Sequence, residues 1–420
     1  MSCRFVTGLL VIVSIMAWMA MPFARAQENE NAYRTTGPVA EAPVKVGCWT
    51  AFEIETPPYI FPMVYEVWSA KNDTAESYAN RVIAEIRRRP KDQPIWLQTH
   101  GWFGNYKPRD PSHAIAHEKD VTAAGTPGIW PKVGLDLWRG RQQEFLQRLH
   151  DAGCRLDAWP LDNETGVHKW SRNYRFDNTW INIVRDPRWE SEPILGVWKP
   201  GSHFVSRKKI EAADDPNEAA HAIVSPLGTF MRDYVFDEYF AKPVLAMYPH
   251  AEVSDYGRVP GRGGRWYAPP ETVMSIEREA NYLTQIQGVG NRSAIVLYGG
   301  RDNSVDRVGM SLAVLDRTIE DAGGPQKVTP WLAPPNNCRY AYNWQTKEMI
   351  DNGPEKRRFT DEEWERLVLG CVERGVRHFL LWNTPLVGHN KPECERTMVE
   401  VFEKATKLAE RLDARAAEMK

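Results

Sequence analysis

The stretch CRLDAWPLDNETG, residues 154–166, decides the fold that the sequence predicts. Residues 154–161 form a short apolar run, and the run ends directly in two acids and a carboxamide, Asp162, Asn163 and Glu164. Parallel barrel enzymes carry catalytic carboxylates at this position, just past the carboxyl end of a strand. We therefore predict a strand at residues 154–161 and a functional carboxylate at Glu164.

Short apolar runs alternate with helical patterns on both sides of this stretch. Further strands are predicted at 44–52, 94–99, 251–256, 293–298, 328–332 and 378–382. Helices are predicted at 74–89, 135–152, 207–221, 226–240, 270–287, 305–322, 361–374 and 393–418. A strand followed by a helix, repeated along the chain, predicts right-handed crossovers and a parallel sheet.

The residues at the end of the first strand distinguish between two possible folds, a closed barrel and an open sheet. Open doubly wound sheets usually carry a glycine-rich phosphate turn there, whereas this strand ends in Trp49-Thr50-Ala51-Phe52-Glu53. The sequence therefore favours an α/β fold of the (β/α)8 TIM-barrel type. Seven strands are clear, and residues 59–68 contain the eighth. Residues 101–134 and 165–204 predict long irregular loops at the C-terminal face of the strands.

The first 26 residues predict a signal peptide. Arg4 precedes an apolar segment, Leu9–Met21, and Ala24-Arg25-Ala26 is a small-x-small cleavage site. The apolar segment is short for a membrane span. We expect cleavage after Ala26, a secreted or periplasmic protein, and no stable membrane insertion afterwards; an uncleaved anchor is the alternative.

The remaining chain predicts a linker at 27–43 and a single barrel domain at 44–420 with a C-terminal helix. The whole chain has 53 basic and 55 acidic residues and no long run of one sign, so no nucleic-acid partner is expected. Its cysteines are scattered, which is not the pattern of a disulfide scaffold. Neither Cys-x-x-Cys nor a His-rich spacing occurs, so no metal and no cofactor is predicted.

The predicted strand ends carry acids, carboxamides, one histidine, one arginine and large aromatic rings. Sugar rings stack on Trp and Tyr, and sugar hydroxyls pair with polar side chains, so this composition predicts a carbohydrate partner. The oligomeric state is left open. The candidate catalytic residues are Glu164, Asp255 and Asp302, and the candidate substrate-binding residues are His100, Trp102, Asp162, Asn163, Tyr256, Tyr298, Arg301, Trp331, Trp382 and Asn383.

Glu164 has the surroundings that glycosidic bond cleavage requires. One carboxyl must stay neutral to protonate the leaving oxygen while a second one is ionised. Crowding by Asp162 and nearby rings raises the pKa of such an acid, and the Asn163 amide is placed to hold a sugar hydroxyl. The alternative is that Asp162 and Asn163 cap the turn after the strand while Glu164 is solvated.

The segment Trp159-x-x-Asp162-Asn163-Glu164-x-Gly166 resembles the corresponding segment of family 42 β-galactosidases and related retaining barrel glycosidases. The resemblance implies that Glu164 is the acid/base and that Asn163 contacts the sugar. The nucleophile of that family is a Glu at the end of the seventh strand. Here residues 328–335, VTPWLAPP, contain no acid, so Asp255 or Asp302 is the expected replacement.

Several of these residues also have structural interpretations. Asp255 fits a turn before Gly257, and Asp302 fits a pair with Arg301 or a cap of the helix at Val305. His100 fits a hydrogen bond to a loop carbonyl. Trp331 and Trp382 can instead be structural rings that fill the upper layer of the predicted barrel.

The first hypothesis from the sequence is therefore that the protein is a glycoside hydrolase. A catalytically inactive barrel that binds glycans is the second hypothesis, because the seventh-strand acid is absent. A metal-assisted hydrolase is the third, with oxygen and nitrogen ligands from His100, Asp162, Glu164 and Asp255.

Overall fold

The computed structural model describes a mixed α/β protein. The described residues are 42–68, 73–100, 133–161, 180–191, 207–220, 235–255, 291–297, 306–335, 340–343, 346, 348–351, 353, 359–382 and 392–419. The predicted signal peptide, most of the predicted linker and the predicted helix at 270–287 lie outside them. No helix within these ranges is long and apolar enough to cross a bilayer.

The strands are short. They are β1 (Lys45–Cys48), β2 (Ile60–Pro62), β3 (Val64–Val67), β4 (Leu97–His100), β5 (Ala158–Leu161), β6 (Glu252–Asp255), β7 (Val296–Leu297), β8 (Trp331–Leu332), β9 (Tyr340–Asn343), β10 (Glu348–Asp351) and β11 (His378–Leu381). Each predicted strand overlaps one of these, and the predicted eighth strand contains both β2 and β3. The antiparallel hairpin β9–β10 was not predicted.

The α-helices lie between the strands in the chain, except for the last helix, which follows β11. They are α1 (Ala75–Arg87), α2 (Val133–Asp151), α3 (Trp180–Arg185), α4 (Arg188–Ser191), α5 (Arg207–Glu211), α6 (Lys242–Met247), α7 (Arg307–Ala322), α8 (Asp361–Glu373) and α9 (Pro392–Glu418). A π-helical turn, Phe236–Ala241, leads into α6, and a 3-10 turn, Pro325–Lys327, leads toward β8.

Two predicted helices and one predicted loop differ from the structure. The helix expected at 207–221 breaks after α5, because the Asp215 carboxylate accepts from the backbone N–H groups of Asn217 and Glu218 and so starts a new turn. The helix expected to end at residue 240 continues to Met247, and Pro243 lies just after the π-helical turn Phe236–Ala241. The loop expected at 165–204 contains α3 and α4.

The strand pairs follow the order of the chain and are parallel, apart from the hairpin. β1 pairs with β2 and β3 pairs with β4, with Met63 between β2 and β3. A Trp96–Ala158 bridge joins the β4 and β5 segments, and β5 pairs with β6. The Arg292 N–H donates to the Val253 carbonyl at 3.2 Å, next to β6. β7 pairs with β8 and β8 with β11, and β11 pairs with β1.

Alternate residues of these strands pack on two different sides, as the period of a strand requires. One side forms an interior cluster of buried Phe61, Met63, Trp96, Ala158, Ala294, Trp331 and Leu380. The other side packs against helices: the outward residues of β1 and β11 meet α8 and α9, and those of β4, β5 and β6 meet α1 and α2. The apolar runs of the sequence are continuous because both sides are buried.

Gly47 is needed on the interior side of β1. A Cβ at this position would collide with the six-membered ring of Trp96. The glycine therefore allows the large side chain of Trp96 to lie across the first strand.

The helix termini explain several boundaries. Thr74 caps α1 in a capping box with Ser77, while the neighbouring Asp73 carboxylate accepts from Arg81 at 2.5 Å. Asp306 caps α7 through a bond from the Gly309 N–H at 3.0 Å. Each cap satisfies an N–H group that has no intrahelical partner.

Candidate functional site

The structure describes few of the predicted site residues. The side chains of Trp331 and Trp382 are described, and His100 and Asp255 are placed as the last residues of β4 and β6. The others lie outside the described residues: Trp102, Asp162, Asn163, Glu164, Tyr256, Tyr298, Arg301, Asp302 and Asn383. The metal alternative depends on His100, Asp162, Glu164 and Asp255, whose side chains are all among those not described.

The backbone places the predicted acidic segment directly after a strand. β5 ends at Leu161, so Asp162 is the first residue past the strand, as the sequence predicts. Leu161 pairs with Asp255 in the register of β5 and β6. Asp255 is therefore one strand away from the start of the segment that contains Glu164.

Four aromatic rings lie together: Trp49 and Trp382 directly follow β1 and β11, Tyr65 lies in β3, and Trp331 lies in β8. The Trp49 ring is 5.4 Å from Tyr65, 6.0 Å from Trp331 and 6.3 Å from Trp382, measured between centroids. We call Trp49, Tyr65, Trp331 and Trp382 the mouth cluster. Contacts of this kind add to the free energy of burial, and they fix the orientation of the rings.

Exposure divides the mouth cluster into two parts. Trp331 is fully buried and belongs to the interior cluster, which fits the interpretation that it fills the barrel. Trp49, Tyr65 and Trp382 are partly exposed. These three rings are the ones on which a sugar face can stack without rearrangement of the interior.

Sequence reasoning missed Trp49 and Tyr65 as site residues. Trp49 follows the last residue of β1, which is the same signal that selected Trp382 after β11. Tyr65 lies inside β3, and its position became evident only from the pairing of β3 with β4.

A buried carboxyl holds the segment that follows β1. Glu395, in the first turn of α9, is fully buried and accepts from the backbone N–H groups of Glu53 and Ile54 at 2.9–3.1 Å. Burial raises the pKa of Glu395 to about 7, and the two N–H donors oppose this rise. Since its oxygens are bound to the backbone, Glu395 fixes the position of the chain next to Trp49.

Ionic groups occupy the opposite ends of the strands. Glu252, the first residue of β6, pairs with Arg292 and lies 2.8 Å from the Nδ1 atom of His378, the first residue of β11. Arg292 also donates to the Thr329 hydroxyl at 3.3 Å. Burial lowers the pKa of Arg292, and the Glu252 carboxylate opposes that shift. We call Glu252, Arg292 and His378 the ionic cluster.

Asp306 caps α7, so the helix-capping role considered for Asp302 belongs to Asp306. Among the described side chains, no group of three or more His, Cys, Asp or Glu residues is arranged to hold a metal ion.

No family model and no curated protein matches the sequence. Similar solved structures include bee venom hyaluronidase in complex with a hyaluronic acid tetramer, with 12% identity over 73% of this chain and 84% of that chain and a TM-score of 0.35. The PgaB (BpsB) glycoside hydrolase domain from Bordetella bronchiseptica is 11% identical over 75% and 77% of the two chains, with a TM-score of 0.37. A xylose isomerase-like TIM barrel protein from Mycobacterium smegmatis is 10% identical over 89% and 99%, with a TM-score of 0.29.

One of these neighbours is named a hyaluronidase, one a glycoside hydrolase domain and one a TIM barrel protein. None of the three is named as a family 42 enzyme, so the comparisons do not support that particular family. TM-scores this low carry no argument about the activity of the chain.

Proposed function

We propose that the chain is a secreted or periplasmic glycoside hydrolase built on a closed (β/α)8 barrel. The barrel is supported by the parallel pairs that follow one another along the chain and by the pairing of β11 with β1. In a closed barrel of this type the active site lies at the carboxyl ends of the strands.

The mouth cluster is the observation that carries the carbohydrate proposal. Partly exposed aromatic faces, two of which directly follow the carboxyl ends of β1 and β11, match the apolar faces of a sugar ring. The sequence adds carboxamides and acids at the same ends. The proposed sugar contacts are His100, Trp102, Asp162, Asn163, Tyr256, Tyr298, Arg301, Trp382 and Asn383, with the buried Trp331 supporting the rings above it.

In the proposed reaction Glu164 protonates the leaving oxygen of the glycosidic bond. Asp255 or Asp302 is the second carboxylate, and Asn163 holds a hydroxyl of the sugar. A carboxyl separation of about 5–5.5 Å would give retention, with the second acid as nucleophile, and about 6.5–9.5 Å would give inversion through a water molecule.

The second candidate is a glycan-binding barrel without catalysis. One observation favours it: β8 continues into Ala333, Pro334 and Pro335, so no carboxylate follows this strand at the place where the resembling family has its nucleophile. Binding through the same rings would then remain without bond cleavage.

The test compares wild-type protein with Glu164→Gln on a panel of soluble polysaccharides, with product release and binding measured together. Loss of the general acid is expected to lower product release by about 10²–10⁴-fold while binding stays within a few-fold. Glu320→Gln, an exposed site on α7, is the matched control and should retain full activity. Wild-type binding without any product would favour the inactive barrel, and absence of both would reject the carbohydrate proposal.

A further inference from the structure

The side chain of Gln98 is buried without a hydrogen-bond partner. It lies in β4 with no exposed surface, and neither its Nε2 nor its Oε1 atom bonds to any group in the described part of the chain. A buried amide without partners costs about 1–3 kcal/mol, so folding alone gives no reason for a glutamine here.

The strand pattern places Gln98 on the interior side. Trp96, two residues earlier, is in the interior cluster, whereas Leu97 packs on the helix side. Residues two apart on a strand share a face, so Gln98 faces the barrel interior with Trp96. Thr99 faces the other way, where its hydroxyl accepts from the Trp159 indole at 3.0 Å.

Gln98 is also at the level of the mouth cluster. It pairs in register with Tyr65, and the Tyr65 ring contacts Trp49. On the side of β4 opposite to β3 lies β5, and the predicted acidic segment follows the end of β5. The carboxamide therefore lies between the partly exposed rings and the strand that leads to Glu164.

We infer that Gln98 is a specificity residue that hydrogen-bonds a pair of hydroxyls on a sugar ring bound at the mouth cluster. This inference rests on the proposed carbohydrate function. A carboxamide offers one donor and one acceptor side by side, which matches two adjacent hydroxyls of a polyol. Bound sugar supplies the partners that the ligand-free protein lacks.

The test replaces Gln98 with methionine, which has a similar length and no amide. Without ligand, Gln98→Met should melt about 1–4 °C higher than wild type, because it removes an unsatisfied buried group. Its affinity for soluble oligosaccharides of glucose, galactose, xylose and N-acetylglucosamine should be about 5- to 100-fold weaker than that of wild type. Thermal unfolding measures the melting temperature, and calorimetric titration measures the affinity.

Thr99→Val is the matched control on the same strand. It loses a satisfied hydrogen bond, so it should melt lower than wild type and bind sugar equally well. A Gln98→Met protein that melts lower, or that binds sugar as tightly as wild type, would overturn the inference while leaving the carbohydrate function intact. A wild-type protein that binds none of the four sugar classes would overturn both.

Discussion

At the scale of single residues, the buried carboxyl of Glu395 links the free energy of unfolding to pH. Its pKa is raised from 4.5 to about 7 in the folded protein, chiefly by burial. The folded state therefore holds this proton more tightly than the unfolded state does. The stability that this proton contributes is fully present below about pH 4.5 and is lost as the pH rises through 7.

The prediction is that Glu395→Gln is less sensitive to pH than wild type. The amide oxygen of glutamine can still accept from the N–H groups of Glu53 and Ile54, but it does not titrate. Between pH 5 and pH 8 wild type should lose about 1–3 kcal/mol more than the variant, measured by urea unfolding. Glu393→Gln, an exposed site in the same helical turn, should keep the wild-type slope. Equal slopes for Glu395→Gln and wild type would contradict the assignment.

The roles of residues whose partners are distant in the chain could not be predicted from the sequence. Glu395 is 342 positions from Glu53, and its partners are backbone N–H groups, which carry no sequence signature. Gln98 reads as an ordinary polar residue of a strand until its burial is known. By contrast, Thr74 was predictable as a cap because its partner, Ser77, is three residues away.

At the scale of elements, the ionic cluster joins the amino ends of β6 and β11 with the segment before β7. Glu252 contacts both Arg292 and His378, and the Arg292 and Glu252 side chains are only 15% and 20% exposed. Removing one partner of such a pair leaves a charge poorly solvated.

Glu252→Gln is therefore expected to destabilise the protein by about 2–4 kcal/mol, because Arg292 loses its counter-charge in a mostly buried position. Chemical denaturation measures the loss. Glu365→Gln, which removes the partner of Lys404 on the surface, should cost at most about 1 kcal/mol. Similar losses in the two variants would show that the ionic cluster behaves like a surface pair.

Elements with strong local patterns were predictable, and elements made by pairing were not. The helices α1, α7, α8 and α9 follow apolar periodicity and caps, and their bounds agree with the sequence to within about two residues. The hairpin β9–β10 depends on its own antiparallel pairing, and α3 and α4 are too short for a clear period. The strands were predicted in the right places but too long, since apolar residues extend past the paired segments.

At the scale of the whole molecule, α9 packs against β1 and β11, the first and the last strands described, which pair with each other. Its buried residues include Met398, Val401 and Phe402, and the Phe402 ring contacts both Phe379 of β11 and Trp364 of α8. The outward side of β1 belongs to the same cluster. This helix therefore protects the pairing of β1 with β11, on which the proposed closure of the barrel depends.

Removing α9 should abolish folding of the remaining chain. Truncation of one large buried apolar side chain costs about 2–5 kcal/mol, and the helix buries several, whereas total stability is about 5–15 kcal/mol. A protein that ends at residue 391 is expected to lose cooperative thermal unfolding and to be digested rapidly by protease. A protein that ends at Asp413 loses residues 414–420, of which 414–419 are described and exposed, and it should melt within about 2 °C of the full chain. If the chain ending at 391 still unfolds cooperatively, β1 and β11 hold together without the helix, and closure rests on strand pairing alone.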